Sequence, residues 1–539
     1  MLISSAFLAP DNFLGWAVGD CWFLAFAVLL ALVFLRFGLP PTPEWFRRLA
    51  SCPLPCVAAL FALPVGLRVA LLPVAPKPVP SGSDDFGYLF LADTLRHFRL
   101  ANSPLALPQF FEQIFILQQP VRASMFPLGQ GFLLMIGWTG VLLACGALCS
   151  AVCWMLRGWL SPHWALTGGL LAVAAFGPLC YWTNCYWGGA LSGVAGCLVF
   201  GAVPRLKATQ RPRDAMLLGS GFLLQALTRQ YEFLLLLIAV AIWICGIRLR
   251  LVGLAALCFA PALVIIAAQN KAITGSALTL PYQLYRHQYG IPATFTYQSN
   301  PVPHKDLNQE QELDYRTEIA AHGDQPESPE RYLVRLWQRV RFYRFFLFAP
   351  LYLALFRAPV KILAAIAVFA FGSNFYPYFY PHYVAATAGL FLLAALIGLQ
   401  RLKPAFAAGI LLACLAQFLF WYAVRASNKQ TLTRYESWDY LNGPGPQGRE
   451  TVARRLENEP GKQIVFVHYS PVHGASEWIH NEVDLDAARV IWVHDLGDDE
   501  NQKLLLVYPG RKPWLLQPDE SPPKLTSYVQ QSSPFEDVR

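Results

Sequence analysis

Residues 53–88 read PLPCVAALFALPVGLRVALLPVAPKPVPSGSDDFGY. The stretch from 53 to 76 is long and apolar enough to cross the hydrocarbon core of a bilayer, which takes a helix of about 20 residues. A proline-rich exit follows and brings two adjacent carboxylates, Asp84 and Asp85, to the membrane surface. The same alternation of apolar run and short polar gap recurs along the chain. Candidate spans lie near residues 16–36, 53–76, 128–156, 163–181, 187–204, 214–228, 231–247, 251–269, 343–357, 361–374, 384–400 and 404–423, about twelve in all. The 539 residues are 55% hydrophobic and 14% charged, whereas soluble domains are about a quarter charged. An ordinary soluble protein is excluded.

Charge is unevenly spread. Residues 424–539 carry 13 Lys and Arg with 17 Asp and Glu, against 29 and 17 in the preceding 423 positions. The pattern divides the chain into an N-terminal helix with a basic cytoplasmic loop (1–52), a transmembrane domain (53–423) with long loops at 77–127 and 270–342, and a soluble α/β domain (424–539). The bases fall in every second gap: Arg36, Arg47 and Arg48; Arg157; Arg205, Lys207, Arg211 and Arg213; Arg248 and Arg250; Arg357 and Lys361; Arg401 and Lys403. By the positive-inside rule those gaps are cytoplasmic, so both long loops and the C-terminal domain face outward.

No basic patch suited to a phosphate backbone occurs, which argues against a nucleic-acid partner. The acids also avoid helix centres, where transporters place theirs; Asp84, Asp85, Asp93, Glu112 and Glu232 fall at the outer side, joined by Asp11 and Asp20 near the N-terminus, while Glu44 and Asp214 fall on the inner side. Chemistry is therefore expected at the outer membrane–water boundary. The twelve cysteines all lie at or before Cys414. Cys145, Cys149 and Cys153 share one helix face and read as packing residues; Cys180 and Cys185 flank a loop and are either free or paired.

The first outward loop reads Ser81-Gly82-Ser83-Asp84-Asp85-Phe86-Gly87-Tyr88. A carboxylate there serves as a general base if an acceptor hydroxyl comes within hydrogen-bond reach, or caps the helix that starts at this point. The two roles are compatible if different members of the pair take them. Arg229 and Glu232, three apart, form an ion pair or orient a bound ligand. The aromatic loop ending in His382 and Tyr383, like Tyr282 in the second long loop, belongs to an interfacial belt or binds sugar hydroxyls.

The run Asp84-Asp85-Phe86-Gly87-Tyr88 resembles the Asp-Asp/Glu-x-x-Tyr pattern of the first outward loop in the GT-C superfamily of polyprenyl-phosphate-sugar-dependent glycosyltransferases. The similarity is to the bacterial branch related to protein O-mannosyltransferases and to the lipid A aminoarabinose transferase. Supporting matches are Gln118-Gln119-Pro120, Phe126-Pro127-Leu128-Gly129-Gln130-Gly131, Tyr181-Trp182-Thr183-Asn184, Tyr186-Trp187-Gly188-Gly189, Thr228-Arg229-Gln230-Tyr231-Glu232 and Tyr380-Pro381-His382-Tyr383.

The resemblance implies a GT-C-like helical membrane fold in a bacterial inner membrane, and an inverting glycosyltransferase for cell-envelope glycan biosynthesis. Its sugar leaves a polyprenyl phosphate for an extracytoplasmic glycan, lipid or protein acceptor. Asp84 falls on the family's catalytic aspartate and Asp85 on its acidic neighbour; Tyr88, Gln119, Glu232, Tyr282, His382 and Tyr383 are expected to bind substrate. Where relatives carry a lysine for the donor phosphate this chain has Met125, so Arg122 and Arg229 are the available cations. That departure also supports an alternative, a catalytically weakened relative that binds polyprenyl lipid or scaffolds an envelope-glycan assembly complex. Family branches differ in their need for a divalent cation, and this sequence leaves the need open.

The tail is expected to form a small, mostly parallel sheet from strands at Gln463–Tyr469, Arg489–His494 and Pro513–Gln517, with helices near 448–457 and from Asp498. His468, His473, His480 and Glu477 match no standard zinc spacing. The tail has no catalytic motif and is left for acceptor or partner recognition.

Overall fold

The computed structural model describes residues 14–80, 82–323, 327–427, 448–474 and 476–528. It begins with α1 (Val18–Phe37), a short surface helix α2 (Glu44–Ser51) and α3 (Pro53–Ala70), followed by the acidic helix α4 (Ser83–Arg96). Two-residue strands β1 (Ile116–Leu117) and β2 (Ala123–Ser124) pair antiparallel. Next come α5 (Leu128–Leu134), α6 (Trp138–Leu156), α7 (Pro162–Phe176), α8 (Ala190–Thr209), α9 (Pro212–Thr228), α10 (Gln230–Ile244) and α11 (Leu249–Thr274). The second long loop folds into α12 (Pro281–Tyr289), α13 (Gln309–His322) and α14 (Pro329–Arg339). After a single turn, α15 (Tyr352–Leu355), the chain returns through α16 (Val360–Ser373), α17 (Ala388–Gln400) and α18 (Pro404–Ala426).

Seven helical stretches among the described residues are long and apolar enough to span a membrane, and three shorter apolar ones, α7, α10 and α16, accompany them. This is a multi-pass membrane protein, with fewer full-length spans than the twelve expected. Two discrepancies have local causes. The run 128–156 is split into α5 and α6 at Gly137, whose φ of +62° ends one helix and starts the next. The run 343–357 does not span: it forms 3₁₀ turns at Val340–Phe346 and Ala349–Leu351 and then α15.

α6 lies at the centre, packed by α3, α7 and α8, while α11 turns Leu257, Leu263 and Val264 outward. Exposed apolar side chains on such a helix suit a hydrocarbon solvent, where close packing is reserved for helix–helix contacts. α8 meets the Pro381–Thr387 turn so closely that a Cβ on Gly196 would clash with the Ala386 carbonyl oxygen. None of the twelve cysteines forms a disulfide among the described residues; Cys180 and Cys185 are both buried thiols. Asp20, expected at the outer end of α1, is buried in an ion pair with Arg344 at 3.0 Å and accepts from Gln417 Nε2 at 3.0 Å, tying α1 to α18.

The C-terminal unit contains α19 (Arg449–Asn458), β3 (Gln463–Val467), β4 (Val490–His494), α20 (Asp498–Val507), β5 (Lys512–Gln517) and β6 (Lys524–Ser527). Strand order is β4-β3-β5-β6, with β3 parallel to both neighbours and β6 antiparallel to β5. The mostly parallel sheet expected from the sequence is present, extended by β6. Phe110 and Phe111 from the first long loop are buried against Ile464, Phe466, Ile491 and Val493, so loop and sheet share one apolar core.

Candidate active site

α4 starts where the proline-rich exit ends, and its two carboxylates have separate environments. Asp85, in the first turn, is fully buried; its oxygens accept from the backbone N–H of Tyr186 at 3.1 Å and of Gly82 at 3.4 Å. It caps the helix and ties it to the loop before α8. Asp84 is partly exposed and makes no hydrogen bond among the described residues. Burial, then the charge of Asp85, push its carboxyl from an ordinary 3.8 up to about 7, with Asp314 adding to the rise and Arg229 opposing it. A carboxylate with unspent oxygens and a pKa near neutrality is suited to take a proton.

Arg229 comes from a break between two helices. α9 ends at this residue, which has an extended backbone (φ −150°, ψ 100°) and starts α10. Its guanidinium is 3.3 Å from Glu232 Oε1 and 5.1 Å from the centre of the Tyr383 ring. Tyr88 stacks on Phe126 with ring centres 4.1 Å apart and lies within electrostatic reach of Arg229, Asp84 and Glu232. His382 interacts through Nδ1 with the Tyr181 hydroxyl at 3.0 Å and meets the Tyr383 ring edge-on at 4.7 Å. Tyr282, under the Arg286 guanidinium, completes the wall near Glu232. Asp84, Asp85, Tyr88, Arg229, Glu232, Tyr282, His382 and Tyr383 thus come from four parts of the chain into one neighbourhood.

Two other expected residues stand elsewhere. Arg122 is 1% exposed; its guanidinium lies 4.7 Å from the Phe90 ring centre and donates to the carbonyls of Glu482 and Val483 at 3.4 Å. Its charge serves the junction with the C-terminal domain, which corrects its expected place beside a donor phosphate. Gln119 is exposed, and its backbone carbonyl accepts from Gln288 Nε2 at 2.9 Å; among the described residues it makes no hydrogen bond with those around Asp84 and Arg229. Met125 is buried in the apolar cluster behind the site.

Sequence reasoning missed two acids. Asp314 and Glu318, one turn apart on α13, are close enough to couple to each other, and the Asp84 carboxyl feels Asp314. Burial raises Asp314 to about 7 and Glu318, with Asp314 beside it, to about 8. Glu318 accepts from the Ala293 N–H at 3.0 Å, while Asp314 Oδ2 is buried with no hydrogen-bond partner among the described residues. Their i,i+4 spacing on a polar helix was the available signal, but nothing in the sequence links that helix to Asp84. Among the described residues no group of three or more His, Cys, Asp or Glu is arranged to hold a metal ion.

The architecture is a GT-C-like fold. In particular it is similar to ArnT from Cupriavidus metallidurans. In the structure with undecaprenyl phosphate bound, the identity is 10% and the TM-score 0.50, over 86% of this chain and 92% of that one. The apo ArnT structure gives the same identity and TM-score over 85% and 92%. An oligosaccharyltransferase from Archaeoglobus fulgidus aligns at 12% identity and a TM-score of 0.44, over 86% of this chain and 69% of its own. No protein-family model and no curated protein sequence matches the chain.

Proposed function

We propose that this protein is an integral-membrane glycosyltransferase that moves a sugar from a polyprenyl-phosphate donor to an extracytoplasmic acceptor with inversion at the anomeric carbon. The observation that carries the reading is Asp84: a carboxylate that makes no hydrogen bond among the described residues, is poised near neutral pH and lies within electrostatic reach of Arg229. Asp84 takes the proton of the acceptor group as that group attacks the sugar from the face opposite the phosphate. Asp85 fixes the helix from which Asp84 works. Arg229 stabilises the charge that gathers on the departing phosphate, in the place of the lysine absent at Met125.

An apolar groove of about 630 Å³ between α10 and α16, lined by Tyr231, Leu235, Ile238, Val368 and Phe371, starts just beyond Arg229 and suits the isoprenoid tail. The likeness to ArnT, whose structure holds undecaprenyl phosphate, supports a donor of that class. The proposed setting is the bacterial cell membrane, with the cleft and the C-terminal domain facing outward. Mass spectrometry of glycans, lipids and proteins from a deletion strain and its parent tests the proposal. One sugar missing from one acceptor class is expected; identical profiles would refute it.

Met125, 3% exposed in an apolar cluster, favours a second reading, a weakened relative that binds polyprenyl lipid or scaffolds an assembly complex. A stable co-purifying partner together with unchanged glycans would select it.

A further inference from the structure

The C-terminal domain grips the acidic helix. The Phe86 ring, one residue after Asp85, stacks on His480 with centres 4.6 Å apart and planes 23° apart, and the Arg449 guanidinium lies 4.9 Å from the same ring centre. Behind them, His480 stacks on Trp492 of β4 at 5.7 Å, and Arg449 lies 5.2 Å from the Trp478 ring centre. Arg449 Nη1 also donates to the Pro80 carbonyl at 3.0 Å, just before α4. Farther along the helix, the Val483 N–H donates to Asp93 Oδ2 at 2.8 Å. Both ends of α4 are therefore held by one domain.

Helical geometry makes this grip consequential. Successive residues turn by about 100°, so Asp84 and Phe86 project in nearly opposite directions. The domain holds the side that carries Phe86 and leaves Asp84 on the other, within electrostatic reach of Arg229. We infer that Arg449 and His480 are positioning residues for sugar transfer, fixing the first turn of α4 so that Asp84 meets the acceptor. This inference rests on the reading of Asp84 as the base, and it gives the C-terminal domain a part in catalysis that its sequence did not suggest. A misplacement of about 1 Å is enough to lower a rate on the order of 100-fold.

The test uses the full-length protein in nanodiscs. The variants are Arg449→Ala with His480→Ala, the rescue His480→Phe that restores a stacking ring, and Asp84→Asn in parallel. Sugar transfer from the polyprenyl-phosphate-sugar fraction of host membranes is measured against pH, together with hydrogen exchange across residues 83–96. The double alanine variant is expected to lose about 10- to 100-fold in kcat, with undecaprenyl phosphate affinity and melting temperature near wild type and faster exchange in the first turn of α4. Its acid limb should also move to lower pH as Asp84 gains water, with Asp85, Asp314 and Arg229 unchanged around it. His480→Phe alone should keep most of the rate.

Wild-type kcat, acid limb and exchange in the double variant, with Asp84→Asn inactive, would overturn the inference and leave the base assignment standing. Activity in Asp84→Asn would instead overturn the base assignment. If the double variant fails to accumulate, single His480→Ala carries the same comparison against His480→Phe.

Discussion

Replacing Asp85 by Asn separates the two carboxylates. Among the influences on Asp84, the charge of Asp85 is second only to burial in raising its pKa from 3.8 to about 7. Removing that charge should lower the pKa by about one unit, equivalent to ~1.4 kcal/mol. A base works in its ionised form, so the rate should rise with pH through about 7 in the wild type and through about 6 in Asp85→Asn. At pH 6 the ionised fraction of Asp84 would then go from roughly a tenth to roughly a half, so transfer at that pH keeps about fivefold more of its own plateau. The plateau itself should fall, because a base of lower pKa is weaker and the helix start is less well held.

The same change affects stability. The Asn side chain still accepts one of the N–H groups of Tyr186 and Gly82 but turns its own NH₂ toward the other, at an expected loss of about 1–3 kcal/mol. The assay is initial transfer rate from pH 5 to 9 in nanodiscs, with melting recorded at each pH. A folded Asp85→Asn protein with no activity at any pH would transfer the base role to Asp85. An acid limb that stays at the wild-type position would refute the charge argument.

Arg229→Gln removes the cation from the cleft and leaves Glu232 buried without its ion partner. Transfer should fall by roughly 100- to 1,000-fold, and undecaprenyl phosphate binding, measured by thermal shift, should weaken with it. Truncating only one partner of the buried Asp20–Arg344 pair, as in Arg344→Leu, should destabilise by about 3–5 kcal/mol, whereas the double change to apolar residues recovers much of that loss; melting curves of the wild type and the two variants decide. Gly196→Ala forces a methyl against the Ala386 carbonyl, backbone that cannot swing aside. It should cost about 1–3 kcal/mol in a melting assay and lower activity as well, since that turn carries His382 and Tyr383.

Much of this molecule was legible because membrane insertion writes itself into composition. The apolar runs located most helices, and β-branched and aromatic runs located the strands of the tail. The failures have physical sources. Apolarity alone does not distinguish a spanning helix from the buried 3₁₀ turns of residues 340–351, and one glycine with positive φ divides a run that reads as continuous. At the site, adjacent Asp84 and Asp85 offered a cap and a general base between them, and Asp85 holds the hydrogen bonds at the helix start. Asp314 and Glu318 were not legible, because only the folding of the second long loop carries them to α4. Arg122 misled for the converse reason: a basic residue near the motif is buried by a domain about 360 residues later in the chain.

The most direct test of the account is sugar transfer by purified Asp84→Asn protein in nanodiscs, given the polyprenyl-phosphate-sugar fraction that supports wild-type turnover. The substitution removes the proton acceptor with little change of shape, so the rate should fall on the order of 100- to 10,000-fold while undecaprenyl phosphate binding and melting temperature stay at wild-type values. Transfer at the wild-type rate would contradict the account.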